Sequence, residues 1–284
     1  MQKSKSLKVI LFIITLVAVF VVFLFGSKAW FSTSSSTENT PTNSVNVSIE
    51  GPATEGQFPW MVATFVNILG QDQFSCGGSL VAPQWVLTAA HCHGDFTIFD
   101  PADWSIRVNS TTWDTGGQVV QVEQFFDQPN TDLSLLKLAN PVVGVSPVAY
   151  AEPDSKAPYL TGAKAITLGW GADSEFDLEP TLKLEWNAEE TYDPSTCGNT
   201  DAIADIYCAG NPNGGGSVTC MYDSGGPYLY AESGFDKFGN PLGNFYVAGT
   251  LRGLLNEDCK TLVNDDWQSV AASSNWITTT ISNN

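Results

Sequence analysis

Basic residues are scarce in this 284-residue chain. Twelve Lys and Arg stand against 30 Asp and Glu, a formal charge of −18. Four of the cations, Lys3, Lys5, Lys8 and Lys28, precede Trp30 and no acid does, which leaves 8 basic residues against all 30 acidic ones, −22, from Trp30 onward. A surface of that sign repels phosphate backbones and disfavours nucleic acid as a partner. It is equally the wrong sign for docking on anionic lipid. Histidine is scarcer still, with two in the chain, and none of the six cysteines forms a C-x-x-C pair, so a zinc site lacks a ligand set. No acidic loop reads as a calcium site. Neither a metal nor any other cofactor is expected. No repeat of about 20–50 residues recurs, which argues against a solenoid. The 25 Gly and 15 Pro are too many for a helical bundle.

What is present begins with a targeting segment. Lys3, Lys5 and Lys8 precede an apolar run from Val9 to Phe25, interrupted only by Thr15 and followed by Gly26-Ser27-Lys28-Ala29. A charged start, an apolar stretch and small residues at Ser27 and Ala29 fit a secretory signal over residues 1–29. The run is also at the lower limit of about 17 residues needed to span a bilayer, so an uncleaved anchor with the rest of the chain outside is the alternative. Either way the remainder is exported, to the extracellular space or a periplasm, and touches a membrane only through this segment if it stays uncleaved. Residues 30–48, rich in Ser, Thr, Asn and Pro, read as a polar stalk or propeptide. Asn46-Val47-Ser48 and Asn109-Ser110-Thr111 match the glycosylation acceptor pattern, which matters only in a eukaryotic host.

Export makes the cysteines interpretable. Six of them, Cys76, Cys92, Cys197, Cys208, Cys220 and Cys259, form an even set in an oxidising compartment and predict three disulfides. Spacing alone does not choose among the 15 connectivities that six cysteines allow.

Beyond residue 50 the pattern is β. Trp60–Val66, Gly78–Val86, Gln118–Val122, Leu133–Leu138, Ala163–Leu168, Leu182–Trp186 and Phe245–Leu251 are rich in Val, Leu, Phe, Trp and Thr. Gly, Pro, Asn and Asp clusters separate them, as in an all-β sandwich or barrel. One helix is predicted, Ser274 to Ile281. The polar stretch Tyr150–Tyr159 reads as a connector between two β halves.

Three strings carry chemistry: Leu87-Thr-Ala-Ala-His91-Cys92 with Cys76-Gly-Gly-Ser-Leu80 ahead of it, Thr131-Asp132-Leu-Ser-Leu-Leu-Lys-Leu138, and Asp223-Ser224-Gly225-Gly226-Pro227. A serine hydroxyl is barely ionised near neutral pH and needs a base to take its proton. That base needs a buried carboxylate to fix its tautomer and stabilise its charged form. Taken singly, His91, Asp132 and Ser224 are a surface histidine, a turn aspartate and a loop serine. Together they supply nucleophile, base and orienting acid.

From about Ile49 to Ile281 the sequence resembles the trypsin/chymotrypsin-like serine peptidases. The resemblance rests on the three strings, on Gln57-Phe-Pro-Trp60, Gly169-Trp-Gly171 and Tyr207-Cys-Ala-Gly210, and on Trp276-Ile-Thr-Thr-Thr-Ile281 as a closing helix. It implies an all-β fold of two six-stranded antiparallel barrels over 49–284, the first about 49–150, the second about 160–270, with the terminal helix about 274–281. His91 and Asp132 would come from the first barrel and Ser224 from the second. It further implies the pairs Cys76–Cys92, Cys197–Cys208 and Cys220–Cys259, a monomer, and protein or peptide substrates.

Four departures qualify it. Tyr222 stands where the family carries Gly, whose backbone N–H forms the oxyanion hole with that of Ser224. Either Tyr222 is strained or its peptide is flipped until substrate arrives, unless it takes a tolerated conformation and lines the cleft. Ile49-Glu-Gly-Pro52 replaces the usual mature start, and Ser48 before it bars tryptic cleavage; if Ile49 is freed, its amine would pair with Asp223. Val218 and Thr219 occupy the floor of the primary pocket, with Gly253 on its wall, so an apolar P1 side chain is expected to bind by burial. Asp265, in Asn264-Asp-Asp-Trp267, is expected to be a solvated turn residue; the alternative places it near the pocket, where it would restore a preference for a basic P1 side chain. The expected function is an exported serine endopeptidase; the alternative is a weakly active or inactive homologue that binds rather than cleaves, with Tyr222 spoiling the oxyanion hole.

Overall fold

A computed structural model describes residues 50–94, 98–172, 179–193, 205–210, 219–236, 240–254 and 265–284. The apolar run 9–25, the stalk, Ile49, Cys197, Val218, Cys259 and Asn264 lie outside the described residues. Among the described residues no helix is long and apolar enough to cross a membrane.

The first barrel is closed by six antiparallel strands, β2 (Met61–Ile68), β3 (Gln71–Ala82), β4 (Trp85–Thr88), β5 (Trp104–Val108), β6 (Gln118–Asp127) and β7 (Ser134–Leu138), in the order β2-β3-β4-β7-β6-β5 with β5 returning to β2. The second contains β8 (Lys164–Gly169), β9 (Glu185–Thr191), β10 (Ile206–Gly210), β11 (Pro227–Ala231), β12 (Phe245–Leu254) and β13 (Asp265–Ser269), in the order β9-β10-β13-β12-β11-β8, closed by β8 pairing with β9. A short strand, β1 (Glu50–Pro52), adds to the outside of β9, Gly51 opposite Trp186. The terminal helix α2 (Val270–Asn283) follows β13 directly, with Ser269 Oγ accepting from the Ala272 N–H as its cap. Closure pairs every strand on both sides and removes the open edges on which such sheets aggregate.

Alternation of inward and outward side chains fills each barrel. Met61, Leu80, Leu87, Ile106, Leu135 and Leu138 are fully buried in the first. The second is filled by aromatic rings: Tyr159, Tyr207 and Tyr228 meet edge to face at 5.0 and 5.5 Å, and Trp267 lies tilted against Tyr228 at 5.2 Å. The predicted strand Gly78–Val86 proves to be two strands, because Pro83 and Gln84 form the tight connection between β3 and β4. Five strands, β1, β5, β10, β11 and β13, had no sequence prediction. One of them is β13, where Asp265 and Asp266 are buried in the ladder. Asp265 is therefore not a solvated turn residue: it faces inward opposite Ala209, fully enclosed.

Cys76 on β3 is bonded to Cys92, as the resemblance implied. Cys208 and Cys220 are also disulfide-bonded, with partners outside the described residues. The bond between 76 and 92 closes a loop of 16 residues. Replacing both cysteines by Ala is expected to cost about 3 kcal/mol by the loop-entropy relation, read from the urea midpoint at unchanged m-value; an unchanged midpoint would show that the bond adds no stability.

Candidate active site

Thr88 ends β4, and its hydroxyl donates to the carbonyl of Gly77 on β3 at 2.8 Å. The chain then enters a single helical turn, α1 (His91–Gly94), which the disulfide pins to β3. Across from it, the turn between β6 and β7 presents Asp132. Its carboxylate is used on both oxygens: Oδ1 accepts from the His91 backbone N–H at 2.8 Å, and Oδ2 lies 2.7 Å from His91 Nδ1. Asp132 is buried, while the His91 ring keeps about a third of its surface open. A carboxylate only accepts, so Nδ1 carries the proton and Nε2 is left with its lone pair toward the open side.

A residue of the second barrel completes this pair. Gln268 of β13, fully buried, accepts the Asp132 N–H through Oε1 at 3.1 Å and donates through Nε2 to the Asp205 carbonyl. Nothing in the sequence marked it, since one polar residue in Trp-Gln-Ser-Val reads as an outward side chain.

Ser224 sits on a turn driven against the first barrel. Its carbonyl accepts from the Gly77 N–H at 2.8 Å, and Gly226 Cα would lie 3.1 Å from a Cβ on Gly77. Gly225 has φ +75°, and a Cβ there would collide with Thr88 Oγ1 and the Gly77 carbonyl. Only Gly fits that position on both counts. The turn thus rests on Gly77 of β3 and on Thr88, the end of the strand that runs into Ala89-Ala90-His91. Among the described residues the Ser224 hydroxyl makes no hydrogen bond, and His91 Nε2 has Cys92 Sγ as a neighbour at 3.9 Å. Cys76, Cys92 and His91 lie close together, but both sulfurs are spent in the disulfide and offer no thiolate to a metal.

Tyr222 has φ +77°, a value that the strained and the tolerated alternatives of the sequence expectation share. Its peptide is held: the Met221 carbonyl accepts from the Ala172 N–H at 2.9 Å. In a trans peptide the N–H points opposite to the carbonyl, so the Tyr222 N–H faces away from Ala172. The ring rests edge-on against Phe74 at 6.0 Å.

Asp223 is buried and takes two backbone donors, Gly171 N–H on Oδ1 at 2.7 Å and Cys220 N–H on Oδ2 at 2.9 Å. Both oxygens of the carboxylate are therefore met by backbone donors among the described residues. Burial raises its pKa to about 7, with the charges of Asp265 and Glu185 adding to the rise and the two N–H donors opposing it. Glu189 on β9, fully enclosed beside Asp265, is pushed well above the usual carboxylate range by burial and by that neighbour. Asp266 instead pairs with Arg252 of β12 at 3.2 Å. Of the expected pocket residues, Thr219 is buried, and Gly253 has open space where a Cβ would project.

A family model described as Trypsin matches residues 50–252. The chain belongs to the trypsin family. It is 32% identical over 192 residues to Kallikrein-1E2 of Equus caballus, covering 60% of this chain and 70% of that one. It is 29% identical over 229 residues to Ovochymase of Halocynthia roretzi, and 29% over 225 to Phenoloxidase-activating factor 3 of Holotrichia diomphalia, each match covering 69% of this chain. The chain spans 14% of the ovochymase and 61% of the factor. As a trypsin-family chain it carries a serine-peptidase domain of the hydrolase class.

The raised pKa of Asp223 fixes a sign for stability. The folded value of about 7 exceeds the ordinary 3.8, so the folded state binds this proton more tightly than the unfolded state. Its contribution is complete below about pH 4 and is lost as pH rises through 7. Asp223→Asn is expected to flatten the fall in melting temperature between pH 4 and 7; an unchanged slope would assign the fall to other groups.

Proposed function

We propose that this trypsin-family chain is an exported serine endopeptidase in which Ser224 is the nucleophile, His91 the general base and Asp132 the residue that orients it. The observation that carries the reading is the doubly bonded His91–Asp132 pair, 2.7 Å at Nδ1, beside a Ser224 turn locked onto the strand that leads into His91. With the Nδ1 proton engaged, Nε2 takes the Ser224 hydroxyl proton as Oγ attacks the substrate carbonyl. The proton passes to the leaving amine, an acyl-enzyme remains, and water attacks it by the same route. Negative charge on the former carbonyl oxygen is met by the N–H groups of Ser224 and Tyr222. The anchored Met221 carbonyl supports activity over the binding-module alternative, since it keeps the neighbouring N–H from turning back toward Ala172.

Activation by release of Ile49 would give Asp223 an ammonium partner in place of water-excluded burial alone. Its two backbone donors hold the turn before any such step. At the primary pocket, Val218 supplies no carboxylate and favours an apolar P1 side chain. A second reading comes from β13: buried Asp265 beside Glu189 would favour a basic P1 group if their carboxylates are reached from the cleft.

Two experiments test these statements. A fluorophosphonate probe is expected to label the purified protein at Ser224, with labelling abolished by Ser224→Ala and strongly slowed by His91→Ala; an unlabelled wild-type protein would favour the binding module. Peptides with Leu, Phe or Met at P1 are expected to be cleaved at least about tenfold faster than those with Arg or Lys, a difference of about 1.4 kcal/mol in the barrier. An Arg preference that disappears in Asp265→Asn would replace the apolar reading by the basic one.

A further inference from the structure

The other histidine is also built into the fold. His93 stands two residues after His91 on α1 and is buried. Its ring is stacked on Phe125 of β6, centroids 4.0 Å apart and planes at 17°, and meets Trp104 of β5 edge-on at 6.3 Å. Its Nε2 lies 3.0 Å from Asp127 Oδ1 and 3.1 Å from Ser134 Oγ. The Ser134 hydroxyl donates to the Phe126 carbonyl at 3.2 Å, which leaves its oxygen to accept. The Asp127 carboxylate accepts as well, and its pKa, though raised by burial, is brought below the ordinary value by the hydrogen bond and charge of His93. Both neighbours being acceptors, the proton must sit on Nε2 and be shared between them.

The positions of those acceptors give the contact its meaning. Asp127 is the last residue of β6, Ser134 is the first of β7, and the two face each other in the ladder. They form the neck of the hairpin from whose loop, residues 128–133, Asp132 projects. The neck is otherwise closed by the Gln128 N–H to the Leu133 carbonyl at 2.9 Å. One turn of helix therefore grips one hairpin twice: His93 holds the neck and His91 holds Asp132 at the tip. With four residues, α1 is too short to keep its shape unaided.

We infer that His93 is a positioning residue for the peptidase reaction, its Nε2–H bridge to Asp127 and Ser134 setting where the His91–Asp132 pair stands relative to Ser224. The inference rests on the endopeptidase reading for its kinetic consequence but not for its structural one. A misplacement of order 1 Å at a reacting group costs up to about 10²-fold in rate, and it acts on turnover more than on substrate binding.

The test uses the full chain with His93→Phe, which keeps the ring against Phe125 and removes the bridge, and His93→Gln, whose amide restores a donor near the Nε2 position. The first readout is the downfield proton resonance of the His91 Nδ1–H in 15N-histidine-labelled protein, identified by its loss in His91→Ala. It needs no catalysis. His93→Phe is expected to broaden or shift that signal, and His93→Gln to return it toward wild type. On the active protein, kcat and the rate of fluorophosphonate labelling are expected to fall about 10–100-fold in His93→Phe, with KM within about twofold and most of the loss recovered in His93→Gln. Should His93→Phe fail to fold, Asp127→Ala/Ser134→Ala removes both acceptors while leaving the ring in place, and the same changes are expected. A folded variant without the bridge whose resonance and turnover match wild type would overturn the inference. So would His93→Gln losing as much as His93→Phe. A wild-type protein that shows the resonance but is never labelled would defeat the endopeptidase reading alone, leaving the resonance comparison to decide the role of His93.

Discussion

The two barrels meet backbone to backbone, and the geometry of the site depends on that approach. Gly77 donates to the Ser224 carbonyl, Gly226 lies against Gly77, and Gly225 occupies a space next to Thr88 that excludes any side chain. Contacts through main-chain atoms do not shift with rotamers, so the position of Ser224 relative to β3 and β4 is set to the tolerance of hydrogen-bonded backbone rather than of two packed surfaces. A Cβ on any of these glycines would meet backbone or side-chain atoms of its neighbours, so the approach of the Ser224 turn to the first barrel needs all three.

From this contact the other supports follow outward. His91 and Asp132 come from the same barrel, yet the Asp132 backbone is fixed by Gln268 from the other, so the orienting acid reports on the assembly of both. Asp223, next to the nucleophile, is anchored from Gly171 and Cys220. His91, Asp132 and Asp223 are thus each held by at least one residue distant in sequence. Burial of the acids behind this turn carries an electrostatic cost, seen in the raised pKa values of Asp223 and Glu189. The site tolerates it because the Asp223 carboxylate is met by fixed backbone dipoles.

Much of this was legible in the residues. The strings around His91, Asp132 and Ser224 and the all-β character could be read because they depend on contiguous motifs, alternating apolar strands and turn residues, whereas the two-barrel architecture and the Cys76–Cys92 bond came only from the family that those strings resemble. What escaped has a common physical character. β13 carries two buried acids, and a sequence rule that places Asp in turns cannot see that Arg252 and a neighbouring carboxyl accompany them inside. β11 begins at Pro227 directly after the nucleophile turn, where Pro and Gly read as loop. Gln268 and His93 act across 136 and 34–41 residues of sequence, and separation of that size leaves no local trace. The alternatives posed for Tyr222 (strained, flipped or tolerated) turn on its backbone, and the hydrogen bond that bears on them comes from Ala172, fifty positions away.

Tyr222 itself has a consequence for how such a sequence can change. A left-handed backbone at a residue with a Cβ is costly, and here the same residue lays its ring against Phe74. The penalty and part of its offset belong to one side chain, which meets Phe74 edge-on and packs against Ala172 and Cys220. The two positions are therefore coupled: losing Phe74 takes support from Tyr222 but not from a Gly at 222, and in either background it removes a partner from the rings of Phe65, Trp113 and Trp170. The cost of a change at 74 thus depends on which residue stands at 222.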